Sequence, residues 1–127
     1  MDGERWSRLL EHLPEVEETV GPPLAVAFMG SDDFAAKRGQ AWLWWPGSRQ
    51  RASGYVGFDG RYPADWGLLL VMNDTVIEKV GAGGTAIMSS LVRRFEIRPF
   101  VLRQRDELDA AGVLEFIESL ELATPKH

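Results

Sequence analysis

The chain lacks cysteine altogether and holds only two histidines among its 127 residues. The absence of cysteine excludes disulfides, thiol nucleophiles and zinc sites built on thiolates. His127 is the last residue and His12 falls in the first helical pattern, so a Ser-His-Asp arrangement has at most one candidate base. We therefore expect no cofactor, no metal site and no catalytic residue of these common kinds.

Long apolar runs and an excess of positive charge are also missing. The longest apolar run, GLLLVM at 67–72, is too short to cross a bilayer. The N-terminus carries charges where a signal peptide has an apolar segment. The net charge of −5 disfavours a role dominated by phosphate contacts. We expect a cytoplasmic protein that binds no membrane, and the charge disfavours nucleic acid as its partner.

The composition that is present suits one compact globular domain. Hydrophobic residues make up 45% and charged residues 26%, so we expect a single domain over residues 1–127 with frayed ends at 1–2 and 123–127. Apolar residues at helical spacing predict an amphipathic first helix, at Trp6, Leu9, Leu10 and Leu13. The same spacing predicts a last helix, which begins near Asp106 and buries Val113, Phe116, Ile117 and Leu120.

The centre of the chain is typical of a sheet. Short β-rich runs lie at 24–29, 41–45 and 54–58, and the run FEIRPFVLR predicts a strand that Pro99 places at a sheet edge. The segment LLLVM-ND-TVIEKV predicts a hairpin, because Asn and Asp join two β-rich runs. Together these patterns predict an α+β fold: an antiparallel sheet of about five or six strands, with amphipathic N- and C-terminal helices packed on one face.

Aromatic and basic residues are concentrated in QAWLWWPGSRQRASGYVGFDG, residues 40–60. Alternation along a strand leaves at least one tryptophan on the outer face, and tryptophan and arginine are common anchors of interfaces. In the other interpretation, elements on both faces of the sheet cover all the rings as core. The first interpretation predicts a partner-binding surface made of Trp42, Trp44, Trp45, Arg49, Arg51 and Tyr55.

A glycine-rich segment, VGAGGTAIMSS, is the second candidate. A turn at 81–85 before a helix would present N–H groups to an anion. The segment lacks the Lys-Ser/Thr ending of a phosphate-binding loop, and ordinary glycine conformations also explain it. The residues of this alternative anion site are Gly83, Gly84, Thr85 and Arg98.

Two further charge patterns bear on function. Aspartates in or beside loops suit metal or acid–base chemistry, but turn formation explains Asp59 and Asp74, and no Glu-x-Lys motif accompanies them. The set is Asp32, Asp33, Asp59, Asp65 and Asp74. The arginines of RRFEIRPFVLRQR, at 93–105, either form a positive patch or pair with the acidic terminal helices.

The leading hypothesis for function is a non-catalytic protein-binding module, possible as a homodimer, that occludes a partner's surface. In size, acidity, helix–sheet–helix order and amphipathic last helix, the chain is similar in general character to small secretion chaperones and toxin-neutralising proteins. It would thus be a chaperone-, adaptor- or immunity-like protein. The alternatives are a nucleotide- or anion-binding regulatory domain that uses the 81–85 turn, and single-strand nucleic-acid binding on the tryptophan and arginine strip.

Overall fold

The computed structural model describes residues 3–13, 22–46 and 54–121. The predicted frayed ends, 1–2 and 123–127, lie outside these ranges. In chain order the described elements are α1 (Gly3–His12), β1 (Ala25–Gly30), α2 (Ser31–Ala36), β2 (Gly39–Trp44), β3 (Gly54–Phe58), β4 (Trp66–Met72), α3 (Asp74–Arg93), β5 (Ile97–Val101), α4 (Arg105–Ala110) and α5 (Leu114–Ser119).

The described strands form one five-stranded sheet in the order β3-β2-β1-β4-β5. The predicted α+β class is confirmed, as is the edge position of the strand that contains Pro99. The prediction of an antiparallel sheet is wrong in one respect, because β1 and β4 pair in parallel while the other neighbours pair antiparallel. β3 also runs in the same direction as β4, so residues 59–65 must cross a face of the sheet to connect them.

One face of the sheet, here called the helix face, is covered by α1, α3, α4 and α5. Its core joins Phe28, Trp44 and Leu70 of the strands to Leu9 and Phe116 of the helices. Each Å² of apolar surface removed from water stabilises the fold by about 25 cal/mol, so such a layer is the main source of stability. Both terminal helical segments pack on this face, although two short helices stand where the pattern predicts a single last helix.

The opposite face, here called the crossover face, is covered in the described chain by α2 and by residues 59–65. The Tyr62 ring stacks on the Phe58 ring at a centroid distance of 5.9 Å. Arg103 Nε donates a hydrogen bond to the Ala64 carbonyl oxygen at 2.8 Å and fixes the end of the crossing segment. Phe34 of α2 packs against Phe100 of β5 with ring centroids 5.1 Å apart.

The predicted hairpin at 68–80 is wrong, because its second run is the beginning of α3. Asn73 does not turn between strands; its side-chain oxygen accepts a hydrogen bond from the Val76 N–H at 2.9 Å and caps the helix. Val76, Ile77 and Val80 are buried at helical spacing against the sheet. A short run of β-branched residues fits a strand or a buried helix equally well by pattern, and here tertiary packing decides for the helix.

The glycine-rich segment 81–84 is therefore a part of α3 and not a turn before a helix. A straight helix of 20 residues would be about 30 Å long. The two ends of α3 are held closer than this, because Met72 before it and Ile97 after it are paired neighbours in the sheet. Helices bend most readily at glycine pairs, and a Cβ built at Gly83 would lie 2.9 Å from Ile87 Cγ2. We infer that the glycines accommodate a bend in α3.

Two alanine substitutions test this bend. Gly81→Ala is expected to stabilise the fold by up to about 1 kcal/mol, because alanine is the better helix former and nothing lies within 4 Å of the new Cβ. Gly83→Ala is expected to cost about 1 kcal/mol, because its Cβ would press against Ile87. Chemical denaturation of both variants measures the difference, and equal effects would contradict the bend.

The last predicted helix is divided into α4 and α5. Gly112 lies between them with φ of 78°, a conformation that glycine adopts at little cost. The first of the two helices begins before Asp106, where the Gln104 N–H donates to Glu107 Oε1 at 3.3 Å. Leu108 of α4 and Phe116 of α5 are both buried on the helix face.

Candidate functional site

An open polar cleft lies at the C-terminal ends of the parallel strands β1 and β4. The chain leaves β1 into α2 on the crossover face and leaves β4 into α3 on the helix face. In open sheets, a crevice where consecutive connections leave to opposite faces is the usual place for a ligand. The cleft has a volume of about 530 Å³ and is lined by Gly30, Ser31, Asp32, Asp33, Gln40, Trp42, Asn73, Asp74 and Thr75.

Acidic side chains dominate the charge of this cleft. Asp32 and Asp33 lie in the first turn of α2, and Asp74 lies in the first turn of α3. A helix N-terminus contributes about +0.5 charge, and the six-residue α2 contributes no more than that. Three carboxylates therefore outweigh the two helix ends and leave a charge of about −2. None of the described lining residues is basic, so the site suits a cationic group.

The position of Asp33 is set by the chain reversal between α2 and β2. Asp33 Oδ2 accepts a hydrogen bond from the Gln40 backbone N–H at 3.1 Å. Gly39 has φ of 136°, and a Cβ at this residue would overlap the Asp33 carboxylate. Glycine at 39 thus permits the close approach that directs Asp33 to one wall of the cleft. Gly30 occupies the N-cap position of α2, and Ser31 is the first residue of the helix.

Trp42 forms the aromatic wall of the cleft and is partly buried. Its ring lies 5.7 Å from the ring of Trp6, so α1 supports it from behind. An indole beside carboxylates is a favourable place for an ammonium or guanidinium group. A cation that lies above an exposed aromatic ring is stabilised by about 0.5–1 kcal/mol.

The structure separates the tryptophans of the predicted partner-binding strip. Trp44 is 2% exposed and packs edge-on against Phe116, with ring centroids 5.0 Å apart. Trp45 is partly buried against the crossover face. Only Trp42 of the three faces the cleft. Tyr55 is its register partner on β3, with a side chain outside the described part, and Arg49 and Arg51 also lie outside the described residues.

The predicted anion site does not assemble as a helix start. Gly83, Gly84 and Thr85 lie inside α3, where backbone N–H groups of a helix bond to carbonyls of the preceding turn. Arg98 lies on the edge strand β5, with its Cζ 5.5 Å from the centre of the Phe34 ring. The geometry expected for an anion at 81–85 is therefore not present.

Arginines of the 93–105 stretch pair with the acidic C-terminal helical region. Arg93 lies 3.1 Å from Glu121, and Arg105 lies 3.6 Å from Glu118. These contacts fit the interpretation of a solvated, paired face. Contrary to the strand expected from Phe95 onward, Phe95 lies at the end of α3 and is exposed.

The sequence patterns do not predict the acidic cleft as a unit, although each of its aspartates belongs to the set of loop aspartates that suit metal or acid–base chemistry. Asp32, Asp33 and Asp74 each follow directly after a buried strand, in LAVAFM-GSDD and LLLVM-ND. That signal indicates one shared site only if the two strands are parallel neighbours, since the C-terminal ends of parallel strands meet at one edge. The predicted hairpin removed this possibility.

Within the described ranges, no group of three or more His, Asp or Glu side chains is placed to hold a metal ion. Across the same residues, no helix is both long and apolar enough to cross a bilayer. Comparisons with protein-family models and with curated protein sequences give no match for this chain. What the chain does is therefore inferred from its own geometry.

Proposed function

We propose that this chain is a non-catalytic protein-binding module whose acidic cleft takes a basic side chain of a partner protein. The observation that carries the proposal is the cleft itself: Asp32, Asp33 and Asp74 surround an open volume beside the Trp42 ring. The module would act by occlusion, as an adaptor or an immunity-like protein does. A lysine or arginine of the partner that is bound in the cleft can no longer make the contacts that it makes in the free partner.

The charge and shape of the cleft support a partner side chain over an anionic ligand. A phosphate in the cleft would approach three carboxylates, a repulsion that a partly desolvated site strengthens. Single-strand binding would need several outward rings flanked by arginines. Trp44 is buried in the core, and Trp42 lies beside aspartates, so neither ring offers a base a stacking surface flanked by arginines. A lysine or arginine side chain meets both the negative charge and the aromatic wall.

The test is a titration with short peptides followed by NMR of the backbone amides. We expect acetyl-Gly-Arg-Lys-Gly-amide to shift the amides of residues 30–33, 40–42 and 73–75, and acetyl-Gly-Gln-Gln-Gly-amide to shift none of them. Binding should weaken as salt is raised from 50 to 500 mM, because exposed charge contacts are screened. The double variant Asp32→Asn/Asp74→Asn should raise the dissociation constant about fivefold to thirtyfold, since two exposed charge contacts contribute about 1–2 kcal/mol.

The matched control is Asp109→Asn on α4. This exposed residue carries the same charge, but its helix packs at the other end of the sheet, where Leu108 contacts Gly67 at the start of β4. Its effect on peptide binding should be less than twofold. Equal losses in the control and the double variant, or shifts spread away from the cleft, would contradict the proposal.

A further inference from the structure

Phe95 combines an unfavourable backbone conformation with an unfavourable exposure. It lies just after α3 with φ of 61°, where glycine is the preferred residue. The turn is a Schellman motif, in which the Phe95 N–H bonds to the Val92 carbonyl and the Glu96 N–H to the Leu91 carbonyl. The phenyl ring is 86% exposed. A bulky aromatic in this position benefits neither the turn nor the core.

Two arginines directly precede this ring. The side chains of Arg93 and Arg94 are 63% and 67% exposed; Arg93 lies 3.1 Å from Glu121, and Arg94 lies 3.7 Å from Glu96, which also pairs with Lys79. Exposed pairs of this kind contribute little to stability and are easily exchanged. We call residues 93–95 the tip. An aromatic ring with adjacent arginines is the composition of an interface anchor.

The tip and the acidic cleft lie at the same end of the sheet. The tip leads directly into Ile97, whose register partner is Met72, and Met72 immediately precedes Asn73 and Asp74 at the cleft. The two features have opposite charge. Two copies of one chain, related by a two-fold axis at this end, would therefore each place a tip against the other's cleft.

We propose that the partner seated in the cleft is a second copy of this chain, with Phe95 as the anchor of a two-fold dimer. Arg94 of each copy meets the aspartates of the other, and the Phe95 ring is withdrawn from water beside the cleft. This inference rests on the proposed function: the cleft binds a basic side chain of a partner, and the tip of a second copy supplies that side chain.

The first experiment is sedimentation velocity of the full chain at 1–300 µM, in 50 and 500 mM salt. We expect a monomer–dimer equilibrium that shifts toward monomer at high salt, because the contacts are exposed charges. Arg94→Asp and Asp32→Arg should each weaken the dimer at least tenfold. Mixed together, these two variants should associate again, since one contact of the mixed dimer keeps the native tip and cleft, and the other places the two introduced side chains, of opposite charge, against each other. Arg105→Asp, on α4 at the other end of the sheet, is the control and should leave association unchanged.

Phe95→Gly separates folding from association. Glycine suits the positive φ, so the thermal midpoint should be unchanged or about 2–4 °C higher, while dimerisation falls at least tenfold. A variant that is well folded and still dimeric would overturn the assignment of Phe95. A monomer at 300 µM, or a mixture of charge variants that does not associate, would overturn the dimer.

The peptide titration distinguishes this inference from the proposed function. If the chain is monomeric but the Arg-Lys peptide shifts the cleft amides, the cleft takes basic groups and the second copy is not its partner. If the native chain dimerises but the peptide does not compete, the dimer uses another surface and both ideas are contradicted.

Discussion

Replacing Trp44 by alanine is expected to lower the free energy of unfolding by about 3–5 kcal/mol, the usual cost of removing a large buried ring. Trp44 is 2% exposed and meets Phe116 edge-on at 5.0 Å, so it joins β2 to α5 across the helix face. The alanine variant leaves a cavity that the surrounding strands and helices cannot close. Urea denaturation followed by far-ultraviolet circular dichroism measures the loss, which is a large fraction of a typical domain's stability.

The adjacent tryptophan is the matched control for this prediction. Trp45 has the same side chain but points to the crossover face, where it is only partly buried. Trp45→Ala should cost less than half as much as Trp44→Ala, because less apolar surface is returned to water. Equal losses at 44 and 45 would show that the two rings do not lie on opposite faces in the way described.

Gly39→Ala is expected to cost about 2–4 kcal/mol of stability and to raise the dissociation constant of the basic peptide about twofold to fivefold, the contribution of one exposed charge contact. Part of the cost is the backbone, because φ of 136° is strained for any residue with a Cβ. The rest comes from Asp33, whose carboxylate must move away from the new Cβ and give up its hydrogen bond to Gln40 N–H. Denaturation and the peptide titration measure the two effects on one variant.

Gly57→Ala is the control for this second prediction. Gly57 lies on β3 beside the register partner of Gly39, with nothing within 4 Å of an added Cβ and no positive φ. Its stability should change by no more than about 0.5 kcal/mol, and peptide binding should be unaffected. A Gly39→Ala variant that binds the peptide normally would mean that Asp33 is not required in the cleft.

Elements with local, repeated signals were predictable from the chain. The spacing of Trp6 and Leu9 identified α1, the apolar run at 24–29 identified β1, and Pro99 correctly placed its strand at a sheet edge. The N-terminal half of α3 was not predictable in this way. Val76, Ile77 and Val80 have β propensity, and only packing against the sheet and α1 makes them helical.

The candidate site depends on contacts between distant parts of the chain. Asp32 and Asp74 are separated by 42 positions in sequence, and the parallel pairing of β1 with β4 brings them to one cleft. Neither local segment contains a sequence signal that predicts the parallel pairing of the two strands. Trp42 and Trp44 lie on the helix face and Trp45 on the crossover face, so which of these rings remains beside the cleft depends on the distant elements that cover each position.

The amino-acid sequence by itself excluded disulfides and thiol chemistry, and it determined the α+β class and the elements whose apolar spacing is long enough to identify one structure. The tertiary structure alone decided that a predicted hairpin is a capped helix, that three aspartates share a cleft beside Trp42, and that Phe95 is exposed at a strained turn. The physical reason is that local propensities differ by about 1 kcal/mol or less per residue. Burial against distant elements contributes more than this and overrides the local preference.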